Sequence, residues 1–234
     1  MKTSTKFFRF DDALFPNSLA WIYMFSTYIL GFVALVSEVL WINALGVIFL
    51  AHSMVISAYF IHECAHSSLF KSSHHNQLFG ELLLWMTGSS YSDYKAVQNK
   101  HVRHHIDRAD IVSFDFRAGL QAYPKTLRFI ETLEWFYIPA LEIMMHALVI
   151  ILPFIKQSRK HLRSRIIIVL VLRITFFTFL ASISPKILIL YPIAYMIFLT
   201  VMRFMDMHQH TYDLHETLDQ ERGDEVKLYD AAFE

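Results

Sequence analysis

Residues 39–66 read VLWINALGVIFLAHSMVISAYFIHECAH, and this stretch decides how the rest of the chain can fold. Val39 to Ile61 is an apolar run which, as a helix rising 1.5 Å per residue, is long enough to cross a hydrocarbon core roughly 30 Å thick. His62 and His66 follow directly, and side chains four residues apart share one face of a helix. The stretch therefore predicts a membrane-spanning helix with two imidazoles directed to one spot at its end.

The composition of the chain indicates the same class of protein. Of the 234 residues, 55% are hydrophobic and 15% aromatic, and the mean hydropathy is +0.36, which is too apolar for an ordinary soluble domain. The formal net charge is zero, so no strong field would attract nucleic acid, and we expect no such partner. Cys64 is the single cysteine, which excludes a zinc ribbon, an iron–sulfur cluster and a disulfide scaffold.

Two further histidine groups follow later in the sequence. His101, His104 and His105 form the group HVRHH, and on a helix the i, i+3 and i+4 positions can direct three imidazoles to one side. The last group ends at His210, just beyond the apolar run Ile187 to Met202. Imidazole is a good ligand for iron, copper, zinc and nickel. Because the groups are far apart in the chain, only a helical bundle could bring them together, and we expect an inter-helix metal centre at one membrane face.

Three other apolar runs have the length of a membrane span. They are Leu19 to Val36, Ile166 to Ser182 and Ile187 to Met202. A short polar break, Ser37-Glu38, joins the first of these to the run that ends at Ile61, and Ser-Pro-Lys at 184–186 joins the other two. The four runs are therefore predicted to form two helical hairpins.

A fifth apolar segment, Trp135 to Ile155, is interpreted differently. It contains Pro139, Glu142, His146 and Pro153, of which the charged and proline residues are costly in lipid. If His101 and His210 serve one site, an even number of crossings must separate them, so this segment is predicted to be an interfacial or re-entrant helix. The predicted fold class is thus an all-α integral membrane protein with four transmembrane helices in two hairpins, an interfacial helix and a cytosolic helical cap that carries histidine boxes. The polar stretch Ser89 to Arg117, which holds the second histidine group, is predicted to lie in this cap on the solvent side.

Basic residues are distributed unevenly over the predicted loops. On the opposite side from the histidines the loops carry Lys186, whereas the histidine side has Lys2, Lys6, Arg9, Lys95, Lys100, Arg103, Arg108, Arg117, Lys125, Arg128, Lys156, Arg159, Lys160, Arg163, Arg165 and Arg203. By the positive-inside rule the histidine face is predicted to be cytoplasmic. Arg173 is an exception within the third span, where an arginine costs about 2.5 kcal/mol or more on insertion scales, so we expect it to face the bundle.

The histidine motifs resemble those of the membrane fatty acid desaturases. The similarity lies in His62-Glu-Cys-Ala-His66, in Lys100-His-Val-Arg-His-His-Ile-Asp-Arg-Ala-Asp110 and in Arg203-Phe-Met-Asp-Met-His-Gln-His210, and it runs from about Leu19 to the C-terminus. The resemblance implies a cytosol-facing centre of two irons that activates O2 and removes two hydrogens from a fatty acyl chain. It also implies an external electron donor of ferredoxin or cytochrome type. Residues 1–18 would be an N-terminal cytosolic segment, and 19–234 the desaturase-like membrane domain.

The same resemblance implies a set of metal ligands. Carried over residue by residue, they are His62, His66, His101, His104, His105, Asp206 and His210. Asp206 and His210 are again four residues apart, and a carboxylate oxygen can bind iron directly or through water. Members of the family carry a third box, H/Q-x-x-H-H, further downstream, and the sequence reaches Glu234 without one. On that basis we expect a C-terminally incomplete chain and an iron site with too few ligands. The acidic residues Glu63, Glu81, Asp107 and Asp110 are candidates to hold the imidazoles in position by hydrogen bonds.

Three other functions stay open from the sequence. Related di-iron hydroxylases of the alkane and carotenoid type use similar boxes, and the product alone would distinguish them from a desaturase. A membrane metal carrier would need polar residues inside its spans, whereas the histidines here cluster at the ends of the spans. An inactive desaturase remnant is the third alternative, and the lack of a third box supports it.

Overall fold

The computed structural model describes residues 7–107 and 119–209, except for the side chains of His104, Asp107 and residues 207–209. Within these ranges the chain is helical, with no strand beyond an isolated backbone bridge between Phe8 and Phe70. We number the described helices α1 Leu14–Leu35, α2 Leu40–Ala65, α3 Ser73–Met86, α4 Tyr94–Asp107, α5 Pro124–Trp135, α6 Ala140–Ile155, α7 Arg163–Ile183 and α8 Ile187–Gln209. A short 3-10 helix, Gln157–Leu162, leads into α7.

Four of these helices, α1, α2, α7 and α8, are long and apolar enough to cross a membrane, which confirms the predicted all-α fold with four candidate membrane spans. α1 begins at Leu14 rather than at Leu19. Pro16 does not prevent this earlier start, because it falls in the first turn, where a helix tolerates proline. α6 has 16 residues and is therefore about 24 Å long, short of the roughly 30 Å of a hydrocarbon core. Its interfacial position stays a prediction.

The first two spans pack closely because glycines lie at their contact. A Cβ added to Gly46 of α2 would lie 2.9 Å from the carbonyl oxygen of Gly31 in α1, so the two backbones approach more closely than larger residues would allow. Asn43 closes the end of α1, since its Nδ2 donates to the carbonyl oxygens of Ala34 and Ser37, each at 2.9 Å. A helix C-terminus leaves such carbonyls unsatisfied, and the amide of α2 satisfies them here.

α8 lies beside α2 and runs in the same direction. At the ends where both helices begin, Lys186 Nζ donates to the carbonyl oxygen of Ser37 at 2.8 Å and lies 3.3 Å from Glu38 Oε1. Leu50 of α2 and Phe198 of α8 belong to one buried apolar cluster between the two helices. α2 and α8 therefore lead to the same end of the bundle, as expected if an even number of crossings separates His101 from His210. α8 contacts α2 more extensively than α7, and the arrangement as two hairpins stays a prediction.

α3 and α4 form a helical pair that packs against the spans. Gly80 of α3 lies so close to Tyr94 of α4 that an added Cβ would come within 2.2 Å of the tyrosine ring. Glu81 accepts a hydrogen bond from the backbone N–H of Tyr94 at 2.7 Å and another from Arg165 Nη2 at 2.7 Å. One carboxylate thus caps the N-terminus of α4 and ties it to the start of α7.

The turn that joins α3 to α4 lies beside the middle of α7. Arg173 Nη2 donates to the carbonyl oxygen of Trp85 and to Ser90 Oγ, both at 3.1 Å. The guanidinium carbon also lies 5.8 Å from the ring centroid of Trp85 and 5.7 Å from that of Tyr91, within cation–π range. Arg173 therefore faces the bundle, as expected. The turn between α3 and α4 belongs to the polar stretch that was predicted to lie on the solvent side, beyond the ends of the spans. It lies instead beside the middle of α7.

α6 is attached to α8 by polar contacts. Tyr195 of α8 and His146 Nε2 of α6 are hydrogen-bonded at 3.0 Å, and Arg203 Nε donates to Glu142 Oε1 at 2.5 Å. Arg203 also forms an ion pair with Glu134 of α5. Glu142 and His146, which interrupt the apolar segment in the sequence, thus face partners on α8.

Candidate metal centre

The first two histidines lie at the end of α2. His62 is in its last turn and His66 follows Ala65, with the His66 backbone N–H still donating to the His62 carbonyl oxygen at 3.1 Å. His62 Nδ1 lies 3.3 Å from Glu63 Oε1, and Ser68 Oγ donates to the other oxygen of that carboxylate at 2.6 Å. Because Glu63 engages Nδ1, the Nε2 of His62 is available to a metal, an arrangement common around metal-ligating histidines.

The second pair of histidines is presented by α4. His101 and His105 are four residues apart on this helix and share the face that packs towards α2. Gln98, one turn earlier, donates from Nε2 to the Ala65 carbonyl oxygen at 2.9 Å, which docks α4 on the end of α2. The buried side chain of Val102 lies on the same helix and adds apolar contact. α4 is thus held at its N-terminus by Glu81 and at its middle by Gln98.

Together the two helix ends form a cluster of four imidazoles, which we call the four-histidine cluster: His62, His66, His101 and His105. One ring nitrogen from each lies within 4.8 Å of those of the others. The Nε2 atoms of His66 and His101 are 3.0 Å apart, those of His101 and His105 are 3.0 Å apart, and those of His66 and His105 are 3.3 Å apart. All four residues are partly buried, so the cluster is neither fully exposed nor completely enclosed.

This geometry fits ligands around one metal ion. Nitrogens about 2.1 Å from a metal stand about 3.0 Å apart at adjacent octahedral positions and about 3.4 Å apart at tetrahedral ones, from the usual metal–imidazole bond length. The observed separations of 3.0 to 3.3 Å lie in this interval. An all-imidazole donor set without thiolate suits iron, copper, zinc or nickel, so the residues fit the iron that the sequence motifs imply.

The three remaining predicted ligands, His104, Asp206 and His210, are not part of the four-histidine cluster as the structure describes it. Asp206 lies near the end of α8, which runs alongside α2 towards the four-histidine cluster, and it is not a member of that cluster. The side chain of His104 and all of His210 lie outside the described residues. The structure thus brings together four of the seven predicted ligands, and the role of the other three stays a prediction.

The partners of the histidines were only partly foreseen. Among the acidic residues considered as supports for the imidazoles, Glu63 contacts His62, whereas Glu81 acts on the backbone of α4 instead. Asp107 and Asp110 lie outside the described side chains. Gln98 and Ser68 were missed, and the one available signal was that Gln98 precedes His101 by three residues, on the same helix face.

Comparison with known proteins agrees with this site. The sequence model of a family described as Fatty acid desaturase matches residues 39–230, a range that begins one residue before α2 and includes both histidine boxes. No curated protein and no solved structure matches the chain. The matched range covers most of the chain, and the four-histidine cluster is formed by residues within it. The chain therefore belongs to the fatty acid desaturase family.

Proposed function

We propose that this protein is an O2-dependent membrane fatty acyl desaturase whose iron is held by the four-histidine cluster. The observation that carries the proposal is the convergence of His62, His66, His101 and His105 at the end of the crossing-length helix α2, in a chain of the desaturase family. His104, Asp206 and His210 are the proposed further ligands, so that two irons could be bound. Iron bound there would supply the capacity to activate O2 for attack on an unactivated C–H bond.

The proposed reaction converts a CH2–CH2 pair of an acyl chain into CH=CH. The two hydrogens that leave the chain, together with two further electrons and two protons, reduce O2 to two molecules of water. An external donor must supply these electrons, and a ferredoxin or cytochrome type of carrier is proposed. The bias of basic residues towards the histidine end supports a cytoplasmic site, where a soluble or peripheral carrier could reach it.

Residues around the four-histidine cluster hold its imidazoles and its two helices in position. Glu63, held by Ser68, fixes the ring of His62 through Nδ1, and Gln98 keeps α4 docked on α2. These contacts hold ligands from two helices in one geometry, which a metal site needs if its open positions are to be few and directed. The site lies at the end of the crossing-length helix α2, which supports the bilayer as the proposed source of the acyl substrate.

Product analysis tests the proposal. The protein would be expressed in a host that lacks desaturases, and total fatty acids would be analysed by mass spectrometry with and without O2. We expect an acyl chain with one more double bond, formed only with O2 and lost in His101→Ala. His52→Ala is the matched control, because His52 lies within α2 and is bonded to Tyr23 at 2.7 Å, away from the four-histidine cluster.

Two results would contradict the proposal. Hydroxylated chains in place of unsaturated ones would identify a hydroxylase of the same iron chemistry. A folded, iron-loaded protein that forms neither product when a reducing system and O2 are present would indicate a remnant without catalysis.

A further inference from the structure

An open groove lies on the bundle, away from the four-histidine cluster. It has a volume of about 240 Å³ and lies where α1, α7 and α8 meet the end of α3. Its walls include the aromatic side chains of Tyr28, Phe32, Trp85, Phe176 and Tyr191, and Arg173 also lines it. The side chains of Trp85 and Phe176 are 37% and 44% exposed, so the groove opens at the outer surface of the spans, which faces lipid.

The charge of Arg173 is not balanced within the described residues. Its hydrogen-bonding partners are a carbonyl oxygen and hydroxyl groups, that of Tyr191 included, and its ring contacts are with Trp85 and Tyr91, all of which are neutral. Among the described residues no carboxylate forms an ion pair with it, and its buried Nε has no hydrogen-bond partner. A cation in an apolar environment gains much from an anion at contact distance, because the local dielectric constant is low.

The depth of Arg173 restricts the kind of anion that could reach it. Arg173 is near the middle of α7, about 15 Å along the helix from Arg163 at its start. The phosphate of a phospholipid stays in the headgroup region, outside the hydrocarbon core. A carboxylate on a single acyl chain carries much less polar surface into the core. Carboxylate also pairs with guanidinium through short, charge-assisted hydrogen bonds.

We propose that this groove binds the carboxylate end of a long-chain fatty acid from the bilayer, with Arg173 against the carboxylate. The aromatic walls enclose the first methylenes of the chain. The groove is a site for an unesterified acid, distinct from the iron site. The proposal does not depend on the proposed desaturase activity, because binding here needs neither iron nor turnover.

Tryptophan fluorescence tests the proposal on the full chain in detergent. A dibrominated stearic acid quenches tryptophan on contact, and its methyl ester, which has no charge, is the matched probe. At alkaline pH, where the acid is ionised, we expect quenching that is lost in Trp85→Phe and kept in Trp135→Phe, since Trp135 lies outside the groove. The acid should act at roughly one tenth of the ester concentration or less, the ratio that a charge-assisted hydrogen bond supports.

Arg173→Gln keeps a hydrogen-bonding side chain and removes the charge. We expect the acid and the ester to quench the tryptophan fluorescence of this variant at the same concentration. Equal quenching by both probes in the wild-type protein would overturn the proposal without any variant, because it would show a groove that takes acyl chains regardless of charge. Unchanged discrimination in a folded Arg173→Gln protein, or acid quenching that persists in Trp85→Phe, would overturn it as well.

Discussion

The substitution Gly80→Ala tests how α3 positions the helix that carries His101 and His105. The added Cβ would lie 2.2 Å from Tyr94 Cδ2 and 2.3 Å from Cε2, whereas carbon atoms in contact are normally about 3.5–4.0 Å apart. Overpacking of this kind costs about 1–3 kcal/mol. Replacing glycine by alanine within a helix stabilises the folded state by at most about 1 kcal/mol, because alanine has the higher helix propensity. An overlap as close as 2.2 Å belongs at the upper end of the overpacking range, about 2–3 kcal/mol, so a net loss of about 1–2 kcal/mol in the free energy of unfolding remains.

The buried ring of Tyr94 cannot turn away freely, so α4 must shift to relieve the contact. We expect Gly80→Ala to lower the melting temperature by about 2–8 °C, from the usual shift of about 2–4 °C per kcal/mol for a chain of this size. Iron affinity should fall as well, because His101 and His105 move with α4. Thermal unfolding and metal content of the purified protein measure both effects.

Gly119→Ala is the matched control, since a Cβ there would meet nothing within 4 Å. The double variant Gly80→Ala/Tyr94→Ala separates the clash from other causes, because the cost of the alanine should largely vanish once the ring is removed. If Gly80→Ala melts and binds iron as Gly119→Ala does, the described packing of α3 on α4 is wrong.

Three further substitutions test single contacts. Tyr94→Phe should leave the melting temperature unchanged or raise it, because the buried Tyr94 hydroxyl has no hydrogen-bond partner among the described residues and burying such a group costs about 1–3 kcal/mol. Glu81→Gln should lower stability by about 1–2 kcal/mol and weaken metal binding, since it loses the charge that caps α4 and pairs with Arg165, and Glu81→Asp serves as its comparison in the same melting and metal-content assays. Asn43→Ala should lower the free energy of unfolding by about 1–3 kcal/mol, measured by thermal unfolding, with no specific effect on iron content, because the carbonyl oxygens at the end of α1 lose the amide that donates to them.

The sequence predicted the parts of the fold that local patterns encode. Four apolar runs of spanning length became the four crossing-length helices. The spacing of His62 and His66, repeated in His101 and His105, predicted two faces of imidazoles, and the structure joins them. Both inferences rest on the helical repeat, which depends only on neighbours in the chain.

Contacts between segments that are distant in the chain could not be predicted from local sequence patterns. Ser90 lies in a polar stretch that indicated a solvent-exposed cap, yet its hydroxyl pairs with Arg173 beside the middle of α7. Glu81 was expected to support a histidine, and its partners are the backbone of Tyr94 and the side chain of Arg165 instead. In each case the deciding group is contributed by a helix that follows much later in the chain, and no local pattern identifies it.

The central claim is that the four-histidine cluster binds iron, and metal analysis of the purified protein tests it most directly. Iron content would be measured for the wild type and for His62, His66, His101 and His105 each changed to alanine, with His52→Ala and His146→Ala as controls. X-ray absorption at the iron edge would give the ligand type. His146 is a suitable control because its Nε2 is hydrogen-bonded to Tyr195 of α8 and it is not a member of the four-histidine cluster.

We predict bound iron with an imidazole signature and bonds of about 2.1 Å in the wild type and in both controls. Each cluster variant should bind iron more weakly by well over the roughly 10–100-fold that loss of a supporting residue costs. A folded wild-type protein without iron after reconstitution, or cluster variants that retain iron as the controls do, would contradict the account.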